Sequence, residues 1–128
     1  MALYADIVEI VAPAEATANS RVDITVRIKN KYASTIGIMV GGALEYGVTP
    51  WPGIEFPTNW ANVLGGATQS FNGYFTMPDK KATIHAYSYY YAEGSWHFDD
   101  EMTKVVNLAA AIPSQFGSIE IVRYERRL

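Results

Sequence analysis

Two histidines and one acidic run hold most of the side chains that could do chemistry in this chain. His85 and His97 lie on either side of Glu93-Gly94, and Asp99, Asp100 and Glu101 follow His97 closely. Imidazole beside carboxylate is the raw material of general acid–base catalysis and of metal sites. A two-residue turn at Glu93-Gly94 pairs Tyr90 with His97 and His85 with Met102. That register sets no carboxylate directly across from either ring. Strand alternation sends Asp99 and Glu101 to one face and Asp100 to the other. Calcium needs roughly six to eight oxygens, usually converging from a loop, and a straight strand does not supply them. The expectation is a solvated acidic strand pairing with Lys80, Lys81 or Lys104. Cysteine is absent, which removes thiol nucleophiles, disulfides and cysteine zinc sites. No GxSxG, HExxH, P-loop or GxGxxG pattern occurs. Gly41-Gly42 and Gly65-Gly66 lack the helix start and lysine of a phosphate cradle. The sequence is thus read as non-enzymatic, with no cofactor and no metal.

Aromatic residues are the stronger signal, with nine Tyr, five Phe and three Trp in 128 residues. Tyr87, Tyr89 and Tyr91 alternate along one strand face. With a two- or four-residue loop at Glu93-Gly94, Trp96 and Phe98 join that face. It is expected either to be core, continued by Met102, Val106 and Leu108, or to be an exposed platform. Asp100, across from Tyr87, counts against core, and a bulge could switch faces midway. A second group sits on the segment Gly47 to Trp60, where Pro50, Pro52 and Pro57 exclude helix and central strand. Trp51, Phe56 and Trp60 on this stiff loop either fold back over one end of the molecule or form an interface.

These residues need strands to position them. Arg21 to Asn30 alternates Val22, Ile24, Val26 and Ile28 with polar residues, as a half-buried strand must. Tyr4 to Val11, Thr35 to Tyr46, Gln69 to Met77, Ala82 to Ala92 and Ser95 to Leu108 also read as strands, with a bend or bulge expected at Gly41-Gly42. Gly117 to Arg127 reads as a last strand. Seven segments, or eight if the bend splits one, and almost no helical periodicity predict an antiparallel β-sandwich. One domain, 1–128, is expected, with a core over 4–108 and a C-terminal extension over 117–127.

The stretch IVEIVAPAEATANSRVDITVRIKN resembles the opening of immunoglobulin-like sandwiches of the CARDB or fibronectin-III type, and FNGYFTMPDKKATIHAYSYY resembles their later half. The resemblance spans about residues 4 to 108. It departs from antibody-type domains in lacking both core cysteines. It implies an immunoglobulin-like fold of about seven to eight strands and mostly non-catalytic roles: spacers, adhesion and sugar-binding modules, and surface or decoration proteins. Fold alone does not choose among them.

A net charge of −3 disfavours nucleic acid, which calls for a basic surface. No run approaches the ~18 apolar residues of a membrane span, so no membrane insertion is expected, and from MALYADIVEI no export signal is expected either. The expected function is structural: a virion surface, capsid-decoration or tail component, forming a homo-oligomer or larger assembly through protein contacts. The alternative is a carbohydrate-binding or adhesion module. The candidate residues for either contact are Trp51, Phe56, Trp60, Tyr87, Tyr89, Tyr91 and Trp96, and the expected location is a virion or cell surface.

Overall fold

In the computed structural model, residues 2–110 are described; the expected strand over 117–127 lies outside them. Eight strands follow in order: β1 (Ala5–Val11), β2 (Glu15–Ala16), β3 (Arg21–Asn30), β4 (Ile36–Glu45), β5 (Trp60–Val63), β6 (Thr68–Thr76), β7 (Ala82–Ala92) and β8 (Ser95–Leu108). One sheet has the order β1-β3-β6 and the other β2-β8-β7-β4-β5. The two pack face to face as a β-sandwich. Every pairing is antiparallel except β2 with β8, which is parallel. Two of these strands, β2 and β5, are too short to show a period of two and were not expected.

The core follows from alternation. Val22, Ile24, Val26 and Ile28 of β3 point inward and are buried, as are Ile38, Val40 and Leu44 of β4, Phe71 and Phe75 of β6, and Ile84 and Ala86 of β7. Burial of this apolar face is the main driving force of the fold. Contrary to the expected bend, β4 runs without a register shift through Gly41 and Gly42. These glycines serve close approach instead. A Cβ on Gly42 would sit 3.1 Å from the Phe56 ring, and one on Gly73 of β6 would sit 2.6 Å from it. Phe56 therefore lies between the sheets. Its loop is stitched to both, through Ile54 N–H to Gly42 O at 3.0 Å and Glu55 N–H to Tyr74 O at 3.1 Å.

The β7–β8 hairpin turns at Glu93-Gly94, whose φ values of 53° and 80° fit the turn type that matches strand twist. Tyr90 pairs with His97 as expected, but further on the register shifts: Tyr89 pairs with Phe98, and Ser88 with Asp100. Asp99 is the extra residue of a β-bulge. Beyond it the parity of β8 is reversed. Trp96 and Phe98 face outward with Tyr91 and Tyr89, while Met102 and Val106 pair with the inward Ala86 and Ala82. The expectation that Tyr87, Tyr89, Tyr91, Trp96 and Phe98 form core with Met102 and Val106 is thus corrected. One inserted residue puts the two groups on opposite faces.

The same bulge explains the acidic run. The Asp99 carboxylate accepts hydrogen bonds from three successive backbone N–H groups, those of Leu3 (2.6 Å), Tyr4 (2.8 Å) and Ala5 (2.6 Å). Asp100 accepts from Ile7 N–H at 3.0 Å. Ser88, fully buried, donates to Ala5 O at 2.6 Å. These contacts join the start of β1 to the other sheet. Successive N–H groups converging on one anion form a favourable charge-assisted site. The aspartates therefore bond to backbone rather than to Lys80, Lys81 or Lys104. Asp99→Ala is expected to lower stability by about 2–3 kcal/mol, since it leaves three N–H groups unpaired. Lys81→Ala, at an exposed position, should change it by less than ~0.5 kcal/mol. Urea unfolding at unchanged m value checks both.

Candidate binding face

The outer face of the five-stranded sheet is built in cross-strand rows, each set by register. At the hairpin end, Trp96 pairs with Tyr91, and Gly37 pairs with Asn62. Gly37 lies against Tyr91, so these four form one row across β8, β7, β4 and β5. The next row is Phe98, Tyr89, Met39 and Trp60, and the third is Glu101, Tyr87 and Gly41. The fourth is Thr103, His85 and Ala43, to which Gly53 of the loop adds a bridge. Small residues in β4 make room for rings from β7 and β8. A Cβ on Gly41 would touch the Tyr89 ring at 3.5 Å, and one on Gly37 would lie 3.3 Å from the Trp96 indole. Large apolar side chains stay open to solvent here: Phe98 is 58% exposed, Trp60 51%, Tyr91 47% and Trp51 38%. A contiguous exposed patch of this kind marks a contact surface more often than chance.

At the first two rows the rings form a cleft of about 400 Å³ lined by Gly37, Trp60, Asn62, Tyr91 and Trp96. Trp60 meets Trp96 edge-on at 6.3 Å and 62°, and Tyr91 meets Trp96 at 5.1 Å and 71°. Trp96, laid over the backbone of Gly37, is the floor, and the other two rings are walls. The strand that carries Trp60 and Asn62 is held by Asn30. This side chain is fully buried, donates to Val63 O and Ser34 O at 2.9 Å, and accepts from Tyr32 N–H at 2.8 Å. All its polar atoms are satisfied, as burial demands.

At the fourth row, His85 lies between two carboxylates. Nδ1 is 2.8 Å from Glu101 and Nε2 is 2.8 Å from Glu45. These carboxylates stand on diagonals, not directly opposite. They were therefore invisible to the direct cross-strand pairing, even in the correct register. Trp51 stacks on the imidazole at 4.4 Å and 24°, leaving the side chain only 12% exposed. Burial alone would lower the His85 pKa. Hydrogen bonds and charge from Glu101 and Glu45 together outweigh it, and the pKa is raised above 6.5. In the imidazolium form both nitrogens donate, one to each carboxylate, and neither then offers a lone pair to a substrate or a metal. Among the described residues no group of three His, Cys, Asp or Glu side chains converges to hold an ion. Burial first, then the charges of Glu101, Tyr89 and Glu45, raise Tyr87 above 10.0. Its phenol stays protonated and available as a donor.

Of the expected contact residues, Trp51, Trp60, Tyr87, Tyr89, Tyr91 and Trp96 share this face, together with Phe98. Phe56 is turned away from it into the interior. His97 is structural: it stacks on Tyr90 at 5.2 Å and bonds Ala92 O at 3.0 Å. The sequence pattern did not single out Gly37, Asn62 or Glu45, nor did it place Glu101 against His85. The pairings of β4 with β5 and β7, and of β7 with β8, place them.

No protein-family model and no curated protein matches the chain. Several solved structures do. The CARDB domain of the PF1109 protein from Pyrococcus furiosus, solved in complex with di-metal ions, superposes with a TM-score of 0.60 at 13% identity, over 85% of this chain and 92% of that one. The alkylpurine DNA glycosylase AlkC of Pseudomonas fluorescens, bound to DNA containing an abasic site analog, gives 0.61 at 12% identity, over 84% and 31%. A cycloisomaltooligosaccharide glucanotransferase of Paenibacillus sp., complexed with cycloisomaltoheptaose, gives 0.52 at 17%, over 83% and 14%. The chain thus spans under a third of either enzyme. At these identities the likeness is one of fold. The chain has an immunoglobulin-like β-sandwich fold of the CARDB type, as the resemblance over residues 4 to 108 implied.

The His85 cluster carries a pH prediction. Because the folded pKa is raised, the cluster stabilises fully below the unfolded value near 6.5 and less as pH climbs through the folded value. A neutral ring keeps only one of the two donors. The melting midpoint of wild type over His85→Gln should therefore be largest in mild acid and shrink above neutrality. A gap that widens with rising pH would contradict this.

Proposed function

We propose that this chain is a non-enzymatic structural protein of a virion surface, a capsid-decoration or tail component, and that it assembles through the outer face of its five-stranded sheet. The observation that carries the reading is the exposure of Phe98, Trp60, Tyr91 and Trp51 on one ordered face. Interface centres are enriched in Tyr, Trp and Phe and depleted in Lys, Asp and Glu. The face fits that composition, and its carboxylates Glu45 and Glu101 are already paired with His85. Rings mounted on strands lose little freedom on contact. The occupant is a second copy of the chain or a neighbouring subunit in the same particle. Among the described residues no helix is long and apolar enough to cross a membrane.

A second reading, carbohydrate binding, is favoured by one specific feature, the Trp60–Trp96–Tyr91 cleft. It can operate beside the first, since the cleft takes up only the hairpin end of the face.

Light scattering over a concentration series tests the assembly reading. The wild type is expected to form a discrete oligomer or to grow into larger particles. Phe98→Lys should shift it to monomer by about tenfold or more in dissociation constant, with its melting midpoint unchanged. A strict monomer at every concentration, or an oligomer indifferent to Phe98→Lys, would overturn it.

A further inference from the structure

We propose that the cleft between β5 and the β7–β8 hairpin binds one pyranose ring of a β-linked, gluco-configured oligosaccharide. This rests on the reading of the outer face as a contact surface and names a ligand for one part of it. The cleft is lined by Gly37, Trp60, Asn62, Tyr91 and Trp96. No side chain among them is charged, so an anion finds no counter-charge; an ammonium group could rest on the ring faces alone, and it would leave the Asn62 amide without a partner. A ligand that uses both the rings and the amide is neutral, flat, apolar on its faces and polar at its edge.

A pyranose whose hydroxyls are all equatorial has this form. Its C–H bonds point from the two faces and its hydroxyls ring the edge. The C–H groups carry slight positive charge and meet the negative face of an indole favourably. Trp96 offers the floor, with Trp60 and Tyr91 inclined to it at 62° and 71° as walls. Asn62, exposed and paired with Gly37, has one acceptor and two donors in its side-chain amide. That set can bridge adjacent hydroxyls at the edge of the ring. The cleft, about 400 Å³, falls in the ~300–1,000 Å³ range of small-molecule sites. Trp60 and Tyr91 stay about half exposed beside it, which leaves room for a chain to run past while one ring is held.

The site is also built to keep its shape. Its residues come from four adjacent strands, β8, β7, β4 and β5, and Asn30 pins β5 through Val63. Position 37 is tight for anything larger than glycine. A Cβ there would stand 3.2 Å from Tyr91 and 3.3 Å from the Trp96 indole, so a neighbour would have to give by a few tenths of an ångström. A glycine inside a strand, otherwise unfavourable, is explained by the ring laid over it.

Titration with cellohexaose, xylohexaose and chitohexaose, followed by calorimetry and by indole amide NMR shifts, tests the proposal. Binding of at least one probe is expected, with dissociation constants of roughly micromolar to millimolar. Trp60→Ala, at an exposed edge position, should weaken it about tenfold or more. Trp51→Ala, at the far end of the same face, should leave it unchanged, and so should Phe98→Lys if it abolishes assembly. Three results would overturn the inference: no binding of any probe, binding that survives Trp60→Ala, or binding of a polyproline peptide in place of the sugars. None of these touches the assembly reading, which stands or falls on the oligomeric state.

Discussion

One inserted residue in β8 determines how the rest of the molecule is arranged. Without the bulge at Asp99, Trp96 and Phe98 would share a face with Met102 and Val106, and the sandwich would have to bury or expose all of them together. With it, Met102 and Val106 reach the core while the indole and phenyl rings stay outside. The bulge also aims Asp99 and Asp100 at the N–H groups of β1. The feature that frees the aromatic face is thus the one that clamps the opposite sheet. Bulges cost ladder hydrogen bonds, and here the carboxylate bonds across the sandwich offset that cost.

The aromatic face depends equally on what is missing from β4. Gly37 and Gly41, with Met39 between them on the same face, leave room for rings from the neighbouring strands to lie over β4. Aromatic side chains of this length would otherwise stand apart in solvent. Covering the glycines gives them contact and fixes their angles. At one end of the face the rings enclose a cleft; at the other Trp51 closes over His85 and its two carboxylates. The loop that supplies Trp51 is held because its next turn drives Ile54 and Phe56 between the sheets. Surface and core are therefore set by a single segment.

Much of the fold was legible in the residues. The alternation of Val22, Ile24, Val26 and Ile28 set β3 and its inner face, and Glu93-Gly94 marked the hairpin. The grouping of Tyr87, Tyr89, Tyr91, Trp96 and Phe98 on one face was also readable. Whether that face was core was not, because both sides of β7 are half apolar: Ile84, Ala86 and Tyr90 against His85, Tyr87 and Tyr89. The decision lay in a bulge, which leaves no mark in a period-two pattern. The acidic run reads as solvated because its partners are backbone N–H groups more than ninety residues away. Glu45 reaches His85 across 40 positions and Glu101 across 16. Trp60 was placed on the loop because a four-residue edge strand is too short to declare itself.

The most direct test of the central claim is solvent accessibility of the two β8 groups in solution. Relaxation of side-chain NMR signals by a soluble gadolinium chelate measures it, at a concentration where light scattering reports monomer. The ring protons of Phe98 and Tyr91 and the indole of Trp60 should be strongly broadened, while the methyl groups of Met102 and Val106 stay sharp. Equal protection of Phe98 and Val106, or broadening of Met102 and Val106 with Phe98 sharp, would mean that the parity of β8 does not reverse at Asp99. The aromatic face would then not be the surface of this protein.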